Sequence, residues 1–286
     1  MSTATEGFLS RIVPARFRSD VPLVPVVRLA GAIGIGSPLR PALTLASAAP
    51  LLERAFRLKR AREVAVVVNS PGGSPVQSHL IFRRIRQLAA EKDKHVTVFV
   101  EDVAASGGYM IACAGDEIVA DPSSIVGSIG VVSASFGFTE LIEKIGIERR
   151  VHTAGERKVM LDPFRPEREE DVERLKALQR DVHAMFKDLV RDRRGAAIAA
   201  HGDSLFTGEF WSGTAGLGLG LVDRIGDLRS VMHERYGAKV KLLPVQPQRG
   251  FLLRRMTPGG ASWSTGLADE ALAAVEARAL WARFGL

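Results

Sequence analysis

At 286 residues and 46% hydrophobic composition the chain can bury a full core, which excludes disorder as its general state. Its single cysteine, Cys113, excludes an intramolecular disulfide, and the six histidines show no zinc-protease or zinc-ribbon spacing, so no metal or other cofactor is expected. The net charge of +7 lies wholly in residues 1–62, which hold ten Lys or Arg against three acids; solvated charge explains this as well as a surface meeting anionic lipid or an acidic partner does, and no nucleic acid is expected.

In residues 1–20, Phe8, Leu9, Ile12, Val13 and Phe17 interleave with Arg11, Arg16 and Arg18, the pattern of a short interfacial segment interrupted by Pro14. No run approaches the roughly 18–20 apolar residues of a membrane-spanning helix, and no signal peptide is seen, so a cytoplasmic chain with peripheral contact to an anionic inner-membrane surface is expected. An apolar strand is predicted over 23–33, then a helix carrying Leu51, Leu52, Ala55, Phe56 and Leu58, and a fully buried strand over 64–68 ending at Asn69. After the N-S-P-G-G turn, Leu80, Ile81, Ile85 and Leu88 recur at helical spacing, and 95–100 forms the next buried strand. Short strands follow over 117–120 and 125–132, a helix over 140–145, a strand over 147–153, and a long amphipathic helix over 167–194. Residues 244–266 read as a linker and 267–286 as a terminal helix, leaving 1–20 as the basic segment and 21–243 as the main domain. The β-α-β-α-β rhythm favours a sheet with many parallel strands, helices on its faces, and active groups in the loops beyond the strand ends.

Two of those loops are glycine-rich. Ser106, between Ala105 and Gly107-Gly108, lies where a strand gives way to a helix, so its hydroxyl is presented at the strand end with the Gly107 amide beside it. The N-S-P-G-G turn offers a second amide, because a residue without Cβ lets the backbone approach a bound carbonyl closely. The ordinary structural uses of the same residues are an N-cap serine and a Pro-Gly turn. A nucleophilic serine also needs a base. Of the histidines, His152 near a strand end is the best placed, whereas His79, His95, His183, His201 and His233 fall in polar helices, at a strand start or in a loop. The alternative is a lysine whose charge is disfavoured by partial burial, and Lys158, after the strand predicted to end near Thr153, is the candidate.

Four blocks then appear in order: NSPGG from Asn69, DVAASGGYMIACAGDEIVADPSSIVGSIGV from Asp102, AGERKVMLDPFRP from Ala154 and TGEFWSGTAGLGLGLVDRIG from Thr207. Over roughly residues 24–243 they resemble the signal peptide peptidase A (protease IV) and SohB family of Ser-Lys peptidases. The resemblance implies that Ser106 is the nucleophile and Lys158 its base. Gly107 and Gly73, or else Gly72, are the implied oxyanion donors, and Ser128 orients the lysine. It implies a ClpP/crotonase-like α/β fold of repeated β-α units with flanking helices, a homo-oligomer, and a serine endopeptidase acting on extended peptides such as signal-peptide remnants or membrane-derived peptides. The chain departs from the family pattern in lacking the usual N-terminal transmembrane helix and in placing Val159 after Lys158, where an aspartate is usual. A crotonase-like acyl-CoA enzyme and a non-catalytic oligomeric scaffold are the alternative readings.

Overall fold

The computed structural model describes residues 21–36, 42–155, 157–246 and 267–286. The basic segment expected over 1–20 and residues 247–266 of the expected linker lie outside the described residues.

β1 (Leu23–Ala30), β2 (Glu63–Ser70) and β3 (His95–Ala105) are adjacent and parallel, connected by α1 (Leu45–Arg57) and α2 (Pro75–Lys92). β2 is buried along its whole length because both faces of the sheet are covered there. Val64, Val66 and Val68 pack under α1, α2 and the long helix introduced below, while Ala65 and Val67 face a second, smaller core on the other side. Each helix start is written locally. Thr44 and Ser47 form a reciprocal cap on α1, and Ser74 caps α2 with Pro75 in its first turn, so the N-S-P-G-G-S-P run is both turn and helix signal.

β3 runs to Ala105, five residues beyond the predicted end. The register passes from Val68 opposite Val100 to Ser70 opposite Ala104, so Asn69 faces a bulge containing Glu101, Asp102 and Val103. The Asn69 side chain fills it: its Oδ1 accepts from the Val103 N–H at 3.3 Å, and its Nδ2 donates to Asp102 Oδ2 at 2.7 Å. The two acids sit exposed in this bulge, which is why the strand survives a charged pair.

After α3 (Gly107–Ala112) the regular alternation stops. β4 (Glu117–Ala120) pairs with Thr97–Val100 of β3, and β5 (Ile125–Gly127) pairs with Val103–Ala105 of the same edge, with only residues 121–124 between them. The long β3 thus accommodates two short strands in tandem. The outermost strand, β6 (Phe210–Ser212), runs antiparallel to β5. The expectation of a ClpP/crotonase-like fold of repeated β-α units is corrected on this point: the chain forms a mixed sheet, forked at β3, in which β-α repetition ends at α3.

Residues 131–168 form an arm containing α4 (Thr139–Lys144), none of whose residues is buried. No strand forms over 147–153, where no neighbouring strand offers hydrogen bonds, and the strand predicted over 125–132 is confined to β5. The predicted long helix is α5 (Glu169–Ile198), which buries Phe186, Leu189, Val190 and Ile198. Its Arg194 is held by Asp223 at 2.8 Å and by the Gly220 carbonyl at 2.7 Å. α6 (Gly213–Gly218), β7 (Arg224–Ile225) and α7 (Leu228–Tyr236) follow, and β8 (Lys241–Pro244) closes the far edge against β1, extending the sheet to the start of the expected linker. α8 (Leu267–Ala282) is the terminal helix.

Candidate active site

In a parallel sheet the loops that follow the strands collect at one end, and those after β1 and β2 are bonded together here. The Gly31 N–H donates to the Asn69 carbonyl at 2.9 Å, the Ile33 N–H to the Gly72 carbonyl at 2.9 Å, and the Ser74 N–H to the Ile33 carbonyl at 2.8 Å. Ser70 ties the same loops through its hydroxyl, which donates to the Gly31 carbonyl at 2.7 Å and accepts the Gly72 N–H at 3.2 Å. Because Ile33 bonds the residues on either side of Gly73, the N–H and C=O of Gly73 itself are turned away from Ile33.

Ser106 stands at the turn from β3 into α3 with φ 52° and ψ −119°, a left-handed backbone that a residue with a Cβ rarely adopts and that costs on the order of 1–3 kcal/mol. Its N–H donates to the Gly127 carbonyl at 2.8 Å, holding the turn against β5. Its side chain makes no helix-capping hydrogen bond, so the ordinary N-cap use of the residue does not apply. Close packing forces the glycines around it. A Cβ on Gly72 would lie 2.8 Å from the Ser106 Cβ, and one on Gly107 would lie 2.2 Å from Ser78 Oγ. Gly107 opens α3, where a backbone N–H has no intrahelical acceptor.

Ser106, Gly73 and Ser128 line one cavity of about 420 Å³. Ser128 also has a left-handed backbone, with φ 53°, and its N–H donates to the Glu209 carbonyl at 2.6 Å. Gly130, Thr207 and Gly208 continue the wall, the two glycines in close backbone approach, with 3.0 Å between a Cβ built on Gly130 and the Gly208 Cα. The far side is formed by Leu280 and Arg283 of the terminal helix and the turn that ends it.

Lys158 is not part of this wall. It is exposed on the arm, in a turn where its backbone N–H donates to the Gly155 carbonyl at 3.2 Å. His152 is exposed as well, whereas His183 is half-buried on α5 with Nε2 3.2 Å from the Ile129 carbonyl, just behind Ser128. Thr207 and Gly208 had a sequence signal, since they open the fourth block. Leu280 and Arg283 had none, because only the folded chain brings them to the cavity.

A strained serine at the C-terminal edge of a parallel strand, among glycine amides, is an arrangement of the hydrolytic α/β class, and the comparisons with known proteins narrow the class to the serine peptidases. The chain belongs to peptidase family S49, whose model matches residues 89–241. The α/β fold is accordingly related to this family and not to ClpP or crotonase. The chain is 58% identical over 292 residues to a Brucella abortus protein named Na(+)/H(+) antiporter NhaA, covering 99% of this chain and 40% of that protein. It is 31% identical over 225 residues to the chloroplastic serine protease SPPA of Arabidopsis thaliana, covering 77% of this chain and 33% of the relative. To the Haemophilus influenzae protein named "Probable protease SohB" it is 33% identical over 177 residues, covering 62% of this chain and 49% of the relative. The chain thus spans less than half the length of each of these curated relatives. Among solved structures it is similar to a membrane-bound stomatin-specific protease at 15% identity and a TM-score of 0.48, over 79% of this chain and 99% of that one. Among the described residues no helix is long and apolar enough to cross a membrane.

Proposed function

We propose that the chain is a serine endopeptidase that cleaves extended peptides, such as signal-peptide remnants or membrane-derived peptides, through Ser106 and Lys158, the pair being closed between two copies of the chain. The Lys158 amine takes the hydroxyl proton as Ser106 Oγ attacks the peptide carbonyl carbon, and returns it to the leaving amine. Water then cleaves the acyl-enzyme, with the lysine again acting as base. The N–H groups of Gly73 and Gly107 stabilise the oxyanion in both steps.

The observation that carries this reading is the left-handed backbone of Ser106, held at the strand end in a cavity with its hydroxyl uncommitted to a helix cap. Gly73 is favoured over Gly72 as the second donor because the Gly72 N–H is already bonded to Ser70, while Gly73 lines the cavity. Among the described residues the one ionisable side chain on the cavity wall is Arg283, and a guanidinium does not give up its proton at working pH, so the base in this reading comes from outside this wall. The arm that bears Lys158 exposes Phe136, Leu141, Ile145 and Ile147, at 79%, 52%, 59% and 56%. Apolar surface of this kind is typical of a contact surface, and a second copy seated on it would both cover it and deliver the amine. Ser128, which lines the same cavity as Ser106, orients that amine in this reading. The crotonase-like acyl-CoA alternative is displaced by membership of the peptidase family.

Labelling with a fluorophosphonate tests the reading. Wild type is expected to react at Ser106 and to cleave casein or a signal-like peptide, with Ser106→Ala and Lys158→Ala each losing at least about 10³-fold in turnover while staying folded. Full cleavage by either variant removes the assignment, and failure of wild type to label or cleave favours the scaffold alternative.

A further inference from the structure

We propose that Arg283 is a specificity-determining residue that holds a substrate carboxylate next to the bond cut at Ser106, so that peptides with an acidic side chain or a free C-terminal carboxylate at that place are preferred. The inference rests on the peptidase reading of the same cavity.

The last turn of the chain is built to fix this residue. Gly285 has φ 76°; its N–H donates to the Ala282 carbonyl at 3.2 Å, and the Leu286 N–H donates to the Trp281 carbonyl at 3.3 Å. These are the paired bonds of a Schellman motif, which only a left-handed residue such as glycine closes readily. The turn is then pinned on both sides of Arg283. Phe284 is buried with Val103 and Ala105, the end of the strand that leads into Ser106, and meets the Phe210 ring edge-on at 5.1 Å; Trp281 packs against the same cluster. The two aromatic residues thus anchor the backbone of the turn at the cavity rim, and the exposed Arg283 side chain starts from that fixed point.

Its chemistry is distinct from everything else on the wall. Gly73, Ser106, Ser128, Thr207 and the apolar residues present no charge, so among the described residues of the wall a peptide entering the cavity meets one cation, the Arg283 guanidinium. Among the described residues that guanidinium is bonded to no carboxylate; its carbon lies 5.9 Å from the centroid of the Phe284 ring. A planar fork of N–H donors without an acidic partner, facing a site for extended peptides, matches a carboxylate in a two-point hydrogen bond, which an ammonium cannot reproduce.

The test uses the full chain and one peptide scaffold in eight forms: Gln or Glu at each of the two positions flanking the scissile bond, combined with a C-terminal amide or free acid. Affinity is measured by fluorescence anisotropy on the Ser106→Ala protein, and kcat/KM on wild type. The carboxylate forms are expected to bind about tenfold more tightly than their neutral partners, as one charge-assisted hydrogen-bond pair implies. In the Ser106→Ala background, Arg283→Gln should bring that ratio to about one, Arg283→Lys should restore part of it, and Arg283→Glu should turn the preference toward a Lys-containing peptide. Preference for Glu but not for the free acid identifies an internal acidic residue as the ligand, and the converse identifies a chain end. Equal affinity for all forms, no binding of the carboxylate forms, or a preference untouched by Arg283→Gln overturns the proposal. Arg283-dependent binding without cleavage by wild type would leave this assignment standing and remove the peptidase reading.

Discussion

Gly73 has no room for a methyl group. A Cβ there would lie 2.1 Å from the Ile33 carbonyl oxygen, on a backbone at φ 139° where side chains are already disfavoured. The residue is glycine because Ile33, in the segment after β1, and the N-S-P-G-G loop pass at hydrogen-bonding distance, and that approach also turns its N–H away from Ile33. Gly73→Ala must push the loop off Ile33 and with it the proposed donor. We expect a fall in kcat of about 10²–10³-fold, the usual cost of one oxyanion donor, with KM changed far less and the far-ultraviolet circular dichroism retained. Wild-type kcat in this variant would exclude the Gly73 amide from the oxyanion site. The residue types were legible in the sequence, since glycine after Ser-Pro and serine before Gly-Gly carry their backbone preferences with them. The division of labour between Gly72 and Gly73 was not, because it depends on the Ser70 hydroxyl reaching across the turn.

α7 illustrates an element whose position depends on its first residue. Asp227 caps it, accepting the Ser230 N–H at 3.0 Å and the Ser230 hydroxyl at 2.6 Å, and these bonds, the hydroxyl first, hold the Asp227 carboxyl below its ordinary value of 3.8. At its other end, Arg235 donates to Glu63 Oε1 at 2.6 Å and the Tyr236 hydroxyl to Glu63 Oε2 at 2.5 Å, docking the helix on the buried start of β2. A carboxyl with a depressed folded-state value stabilises the fold above its unfolded value and loses that effect as pH falls through the folded one. Asp227→Ala should therefore cost about 1 kcal/mol near neutral pH, with the gap between variant and wild type closing below about pH 4 in urea titrations. A gap independent of pH would mean that the ionised cap contributes nothing. Elsewhere, element type was readable wherever burial repeats along the sequence, as in β2, α2 and α5. It failed where a neighbour decides: β3 continues past two acids because Asn69 fills the bulge, and no strand forms over 147–153 because among the described residues no strand pairs with it.

For the whole molecule, the position of Lys158 outside the wall of the Ser106 cavity is why the proposed pair is set between two copies of the chain. If the pair closes between copies, Ser106→Ala and Lys158→Ala, each inactive alone, should regain measurable peptide cleavage when mixed and allowed to exchange subunits, because hybrid contacts contain one intact pair. Sedimentation velocity should show an oligomer that dissociates when Phe136 and Ile145 are changed to Asp. No recovery on mixing, with exchange verified by subunit labelling, would place the base within one chain or on another residue. The sequence by itself determined the buried strands and their helices, the serine at the strand end, the glycine loops around it and, through its four blocks, membership of a peptidase family. These depend on local backbone preference and on burial patterns repeating within a few residues. Only the tertiary structure decided that β3 forks the sheet and ends the β-α repetition, that Lys158 is exposed on the arm and not on the cavity wall, and that the turn after α8 brings Arg283 to the cavity rim. Each of those is a contact between segments far apart in the chain, set by which surfaces remain to be covered once the local elements have formed.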